Sequence, residues 1–377
     1  MSQQNVVYIT IDSLRADHVG HLGYDRETTP TLDRLAEDGT VCTHAIANGI
    51  PTFYSFKSLL GGVSSFGHSR GIGMPPQTTT VAEAFRDRGY ETAGINAGNP
   101  WLTRDYGYQR GFDTFRDFLT DDADDGGANA LRSQISSATR RLRTLAESNE
   151  FVKDKAGRLA RTFCAFTDRT PLEDAETVTE LVVEWVQHRE DPDRPFFLWI
   201  HYMDPHYPWV PQERYMREFC DDSVSTFEIA RLWHNVSSLN KSAGESSRVP
   251  DEDVRRIRDL YDAEIRRTDD SIRRILDTLK QTDDFDDTVV SVVGDHGTEL
   301  YDHGGFSHGP RTLYDEIIHV PLLFAGDTVP NERLTDVTSL LDVVPTLLDV
   351  ANVDDPVESD FVGRSVYDTS RTAAVTE

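Results

Sequence analysis

The chain has 377 residues, and its 65 Asp and Glu against 38 Lys and Arg leave a formal net charge of −27 at pH 7, a balance that repels nucleic acid and anionic membranes. Only five of the cations are lysines (Lys57, Lys153, Lys155, Lys241 and Lys280); an acidic, lysine-poor surface suits a high-salt cytoplasm whose counterions screen the self-repulsion, so a halophilic source is expected. No apolar run approaches the roughly 20 residues of a membrane span, and the first strand follows the N-terminus too closely for a signal peptide, so the expected location is cytoplasmic.

Val6–Ile11 is a continuous apolar, β-branched run, the pattern of a strand covered on both faces. Thr31–Asp38 reads as a short helix after Pro30, closed by Gly39, and Val41–Ala47 as a second strand. A helix is predicted over Phe53–Leu60, ended by Gly61-Gly62, then an amphipathic helix over Val81–Arg88 and a strand over Glu91–Asn96. This alternation predicts an α/β fold with a large, mostly parallel central sheet and helices on both faces.

Asp121–Gly127 is a polar loop, and Leu131–Phe166 is helical in pattern and rich in Arg. The basic excess from Arg132 to Arg169 fits either a lid that greets an anionic substrate or a solvated helix face. Asp174–His188 is a strongly amphipathic helix leading into the strand Phe196–Ile200. Asp221–Pro250 is Ser-rich and weakly periodic, so a surface excursion is expected there. A long charged helix over Asp251–Lys280, strands over Thr288–Val293 and Pro321–Ala325, and a helix over Ser339–Val350, kinked at Pro345, complete the pattern. The whole reads as a single domain over 1–377, with helical or irregular insertions near 121–170 and 212–256 and a loose tail over 355–377. Cys42, Cys164 and Cys220 lack metal-ligand spacing and read as small apolar residues of a reducing compartment.

Two strands end on carboxylates: Val6–Ile11 runs into Asp12, and Ser291-Val292-Val293-Gly294 into Asp295-His296-Gly297. Open α/β sheets place ligands at such C-terminal tips, and two carboxylates with an imidazole offer hard oxygen and nitrogen ligands to one cation. Asp12 is equally suited to cap a helix. Thr52 stands at the predicted start of the Phe53–Leu60 helix, where backbone N–H groups favour anions. A hydroxyl there serves either as a nucleophile or as an ordinary N-cap. His206, in His201-Tyr202-Met203-Asp204-Pro205-His206, and His308, in Phe306-Ser307-His308-Gly309, are candidate acids or oxygen donors. His303 is a weaker one.

Taken together, these segments resemble the sulfatase family of the alkaline phosphatase superfamily over nearly the whole chain. Ile11-Asp12-Ser13-Leu14-Arg15-Ala16-Asp17-His18-Val19-Gly20 is similar to an Asp-Ser-Leu-Arg-Ala-Asp-His form of the family's first metal motif, and Thr28–Ala36 to its continuation. The His206 segment, Gly294–Glu299, His308, Leu313–Leu323 and Leu341–Val350 follow in the family's order. The resemblance implies an α/β sandwich with its metal and nucleophile at the C-terminal edge of the central sheet. It also implies that Asp12, Asp295 and His296 hold the metal while His206 and His308 touch the transferred group.

The chain departs from that pattern at the nucleophile, where family sulfatases carry a formylglycine made from Cys or Ser. One alignment puts Thr52 there and another puts Gly49. Threonine cannot become formylglycine, and superfamily members that use it act on phosphorus. The second Asp of many sulfatase metal sites is Ser13 here, and Gly94–Asn99 offers neither Lys nor His where the family binds sulfate. The expected function is a metal-dependent hydrolase of sulfuric or phosphoric esters using Thr52, with phosphoesters favoured. A phosphoalcohol head-group transferase and a non-catalytic binding protein on a degenerate scaffold are the alternatives. The expected cofactor is one divalent cation (Ca²⁺, Mn²⁺ or Zn²⁺) without formylglycine. The expected partner is a small anionic ester, sugar- or lipid-linked, with Trp101, Tyr106, Tyr108, Tyr207 and Trp209 as candidate contacts.

Overall fold

The computed structural model describes residues 3–65, 71–120, 173–239, 249–309, 312–353, 361–368 and 371–376. The basic segment between Arg132 and Arg169, the loop Asp121–Gly127 and Cys164 lie outside the described residues. An eight-stranded sheet organises the molecule. Its strands are β1 (Asn5–Ile11), β2 (Thr40–Ile46), β3 (Glu91–Asn96), β4 (Thr114–Arg116), β5 (Phe196–Tyr202), β6 (Thr288–Gly294), β9 (His319–Ala325) and β10 (Glu332–Ser339). They lie in the order β10-β2-β9-β6-β1-β5-β3-β4, and β7 (Glu299–Leu300) pairs separately with β8 (Phe306–Ser307). Only β9 runs antiparallel to its neighbours β2 and β6, so the sheet is mostly parallel, as the strand–helix alternation predicts.

The helices are α1 (Pro30–Asp38), α2 (Thr52–Gly61), α3 (Val81–Arg86), α4 (Ala175–Gln187), α5 (Glu213–Phe219), α6 (Thr226–Leu239), α7 (Asp251–Gln281), α8 (Asp315–Ile318) and α9 (Val343–Val350). Because side chains alternate along a strand, the apolar run of β1 serves two cores. Val7, Ile9 and Ile11 join α4, α6 and α7 on one face, while Val6 and Tyr8 join α2, α3 and α9 on the other. β5 divides likewise, Leu198 and Ile200 against Phe197 and Trp199. Each fully buried aliphatic or aromatic side chain contributes roughly 1.5–3 kcal/mol, and two such layers hold the central strands rigidly.

Three expectations need correction. The Ser-rich stretch 221–250 is not a mere surface excursion: α6 sends Ile229, Leu232, Trp233 and Val236 into the core beside α7. Their i, i+3, i+4, i+7 spacing is a helical stripe that the surrounding serines and acids conceal. Around 212–256 the chain therefore contributes helices to the main core. Pro345 does not kink a helix over Ser339–Val350. β10 continues through Ser339, a single 3-10 turn spans Leu340–Asp342, and α9 begins at Val343. Pro345 then lies in the first helical turn, where its missing N–H has no intrahelical acceptor to serve. In the tail, Arg371 pairs with Asp342 at 2.6 Å and Asn48 Nδ2 donates to Val375 O at 2.7 Å, a firmer attachment of 361–368 and 371–376 than a polar composition suggests.

Candidate active site

β6, β1, β5 and β3 are consecutive parallel neighbours, with Ile11 level with both Gly294 and Tyr202, and Asn96 level with His201. Everything that follows these residues therefore emerges at one edge of the sheet. The ladder runs one residue further, since Asp12 N donates to Tyr202 O at 2.9 Å and Asp295 N to Ile11 O at 3.2 Å. This holds the two carboxylate-bearing residues side by side. Both are fully buried, as is His296.

Thr52 is the first residue of α2, with Pro51 in the N-cap position and no side-chain cap there. Its hydroxyl is not spent on capping. Oγ1 donates to Asp12 Oδ2 at 3.3 Å and lies 3.1 Å from His296 Nε2. Gly49 is packed against the same helix, where a Cβ would meet Tyr54 Cβ at 2.6 Å. His296 Nδ1 lies 2.9 Å from Gly297 O; that carbonyl can only accept, which assigns the proton to Nδ1 and leaves the Nε2 lone pair facing inward. Nε2 is 3.4 Å from Asp295 Oδ2.

Asp12, Asp295 and His296 each offer one ligand atom within 4.8 Å of the others. Asp295 Oδ1 accepts from Ser13 N at 3.1 Å and His296 N at 2.7 Å, whereas the buried Oδ2 accepts no hydrogen bond. An orphaned carboxylate oxygen opposite an imidazole lone pair is unfavourable unless a cation joins them. The donor set fits one divalent ion. Electrostatics agree: burial and the charge of Asp12 push Asp295 well above the usual carboxylate range. Burial also opposes ionisation of Asp12, but His206, His296, His201 and His308 hold it at about 2. Burial drives the His201 imidazole down to about 4 and holds that of His308 well below its ordinary value.

His308 packs at a tilt against His296 with ring centroids 4.3 Å apart, and the His206 ring lies 5.2 Å from that of His308. All six residues singled out in the sequence thus meet at one place. His303 does not: it stacks on Tyr314 and bonds Glu316 Oε1 at 3.1 Å. Three further residues belong to the cluster. Ser13 Oγ donates to Asp12 Oδ1 at 2.8 Å, Asn99 Nδ2 donates to Asp12 Oδ2 at 3.3 Å, and His201 Nε2 lies 3.8 Å from the same oxygen. The signals that point to them are a polar Asn just past a strand tip and a His inside an otherwise apolar strand.

Half-buried rings continue outward from Thr52 and Asn99. Phe53 meets Trp101 at 5.4 Å and Tyr54 at 4.5 Å, and Trp101 meets Tyr106 at 6.2 Å. Of the other aromatics expected at the ligand, Tyr108 is buried against Phe56, while Tyr207 and Trp209 pack towards Trp233 and Tyr261 in the α7 core.

A parallel sheet whose central tips gather two carboxylates, imidazoles and a hydroxyl defines a hydrolase of the alkaline-phosphatase type. Residues 4–353 match the protein-family model described as Sulfatase; the chain belongs to the sulfatase family and is an ester hydrolase. It is 23% identical to an arylsulfatase of Clostridium perfringens over 93% of this chain and 76% of that protein. It is 24% identical to the multifunctional alkaline phosphatase superfamily protein PehA of Trinickia caryophylli, over 97% and 77%. The fold superposes on the phosphonate monoester hydrolase of Agrobacterium radiobacter with a TM-score of 0.67 at 20% identity, covering 97% of this chain and 76% of that one. Among the described residues, no helix is long and apolar enough to cross a membrane.

Proposed function

We propose that this chain hydrolyses small anionic esters of phosphoric or sulfuric acid with Thr52 as nucleophile, phosphoesters being preferred. The observation that carries the reading is the Thr52 hydroxyl, which starts a helix yet turns to Asp12 Oδ2 and His296 Nε2 and not to its own backbone. Oγ1 loses its proton to the Asp12 carboxylate and bonds to the central atom of the ester. His308, tilted against His296, is placed to donate its N–H to the ester oxygens, and His206, beside His308, to protonate the departing alcohol. Water then releases the acid from Thr52. Asp12, Asp295 and His296 would hold one divalent cation, which supplies the positive charge that favours an alkoxide at Thr52 and neutralises the ester anion. The organic group lies against the Phe53–Trp101 rim.

Threonine has no second hydroxyl to eliminate, so release from a Thr52 ester needs water to attack the central atom directly, which suits phosphorus better than sulfur. Support also comes from similar proteins whose names place them on sulfur and on phosphorus esters, an arylsulfatase and a phosphonate monoester hydrolase. The test compares nitrophenyl sulfate, nitrophenyl phosphate and bis-nitrophenyl phosphate in molar salt with Ca²⁺, Mn²⁺ and Zn²⁺ in turn. Thr52→Ala should lower turnover by on the order of 10⁴-fold or more while leaving cation binding intact. Sulfate turnover that survives the substitution would remove Thr52 as nucleophile, and bound metal without turnover of any ester would favour a binding scaffold.

A further inference from the structure

Ser13 is one of the few non-glycine residues in the left-handed region, with φ at 61°. Glycine adopts that conformation freely and a Cβ resists it, so a serine held there implies a use for its hydroxyl. Every polar group of Ser13 is engaged. Its N–H donates to Asp295 Oδ1 at 3.1 Å and its Oγ donates to Asp12 Oδ1 at 2.8 Å. Its carbonyl accepts from the Tyr261 hydroxyl at 2.7 Å, and His308 Nδ1 lies 3.5 Å from its Oγ. Tyr261 in turn accepts from Arg15 N at 3.0 Å, which pins the turn from beneath.

The left-handed turn is what lets one residue reach both carboxylates. An extended residue would point its N–H and its side chain in divergent directions. With Oδ1 of each acid occupied by Ser13, the Oδ2 atoms are left to face the interior: that of Asp12 towards Thr52 and Asn99, that of Asp295 without a partner. Ser13 is also uncharged, so two carboxylates and a divalent cation balance to neutrality, and an incoming anion meets no excess negative charge.

We infer that Ser13 is a positioning residue that clamps Asp12 and Asp295 into a common orientation for one divalent cation. The inference rests on the metal-site reading above and extends it to a residue that binds nothing itself. Hydrogen bonds behind metal ligands typically govern affinity by 10–100-fold, and the two halves of the clamp separate by substitution. Ser13→Gly keeps the backbone turn and its N–H bond to Asp295 but deletes the hydroxyl. Ser13→Ala deletes the hydroxyl and keeps the strained Cβ.

The experiment is calorimetric titration of the chelator-treated 377-residue chain with Mn²⁺ and, separately, Ca²⁺ in molar salt, with melting temperatures of the metal-free forms alongside. Both variants should bind cation about 10- to 100-fold more weakly, while metal-free Ser13→Gly melts at or above the wild-type temperature and Ser13→Ala below it. Wild-type affinity in Ser13→Gly would overturn the clamp, and so would weakened binding confined to Ser13→Ala, which would trace the effect to backbone strain. A wild-type protein that binds neither cation would instead remove the metal site, and the clamp with it.

Discussion

Arg267 on α7 lies among four carboxylates in one largely buried cluster, with Arg214 also reaching Glu176 from the surface at 3.4 Å, and replacing Arg267 by Met tests how that cluster is held together. Its side chain is 7% exposed and lies 2.9 Å from Asp174, 2.5 Å from Glu176, 3.5 Å from Glu264 and 3.9 Å from Asp204. Glu264 accepts from Val210 N at 2.7 Å, and Asp204 accepts from Ala175 N at the start of α4. The cluster therefore braces the turn that leads from β5 to His206. Removing one partner from a buried ionic group costs about 3–5 kcal/mol. With about 2.1 cal/mol/K of unfolding entropy per residue, 377 residues give about 0.8 kcal/mol/K, so the melting temperature should fall by about 4–6 °C at pH 8.

The loss should depend on pH. Burial and the charge of Asp204 push the Glu264 carboxyl up to about 8 from 4.5. The folded state thus binds more protons, and the stabilisation from Glu264 is complete below about pH 4.5 and lost as pH rises through about 8. Arg267 works against that rise, so in Arg267→Met the slope steepens. At pH 5 the protonated acid needs no countercharge and the loss shrinks. Scanning calorimetry at pH 5, 6.5 and 8 in constant salt reads this directly, with Glu264→Gln flattening the slope and partly rescuing Arg267→Met. Equal losses at pH 5 and pH 8 would refute the account.

Two substitutions probe the site's surroundings. Gly297→Ala would drive a Cβ to 2.0 Å from Glu316 O, a backbone atom that cannot swing aside; the Asp295–His296 turn must shift, and calorimetry should show both a lower melting temperature and weaker cation binding. Trp101→Leu opens the aromatic rim but keeps the backbone bond from residue 101 to Asn99 Oδ1. Steady-state kinetics should show KM for a nitrophenyl ester rising about three- to tenfold with kcat little changed, and an unchanged KM would detach the rim from the substrate.

Most of the sheet was legible because its central strands are buried on both faces, and a continuous apolar run such as Val6–Ile11 has few other uses. What escaped was decided by contact. β10 reads Glu-Arg-Leu-Thr-Asp-Val-Thr-Ser and forms the sheet's outer edge, where polar side chains meet water and discourage further pairing. α6 hides four core residues among serines, and Pro345 is ambiguous until the position of the preceding strand places it in a first turn.

The site divides along the same line. Asp12, Asp295, His296 and Thr52 stand at the ends of elements whose ends the sequence marks, and in a parallel sheet neighbouring strand tips must converge. Which strands are neighbours is a tertiary fact: β1 and β6 lie at opposite ends of the chain yet pair along their whole length. The local marks of Asn99 and His201 are weak and Ser13 has none, because a serine in a turn or an asparagine after a strand has many ordinary roles. Their significance appears only when three separate segments aim at the two oxygens of Asp12. Spacing alone permits either Thr52 or Gly49 at the nucleophile position; the start of α2 at Thr52, with its hydroxyl on the Asp12 carboxylate, is a tertiary observation, and the proposal of Thr52 rests on it.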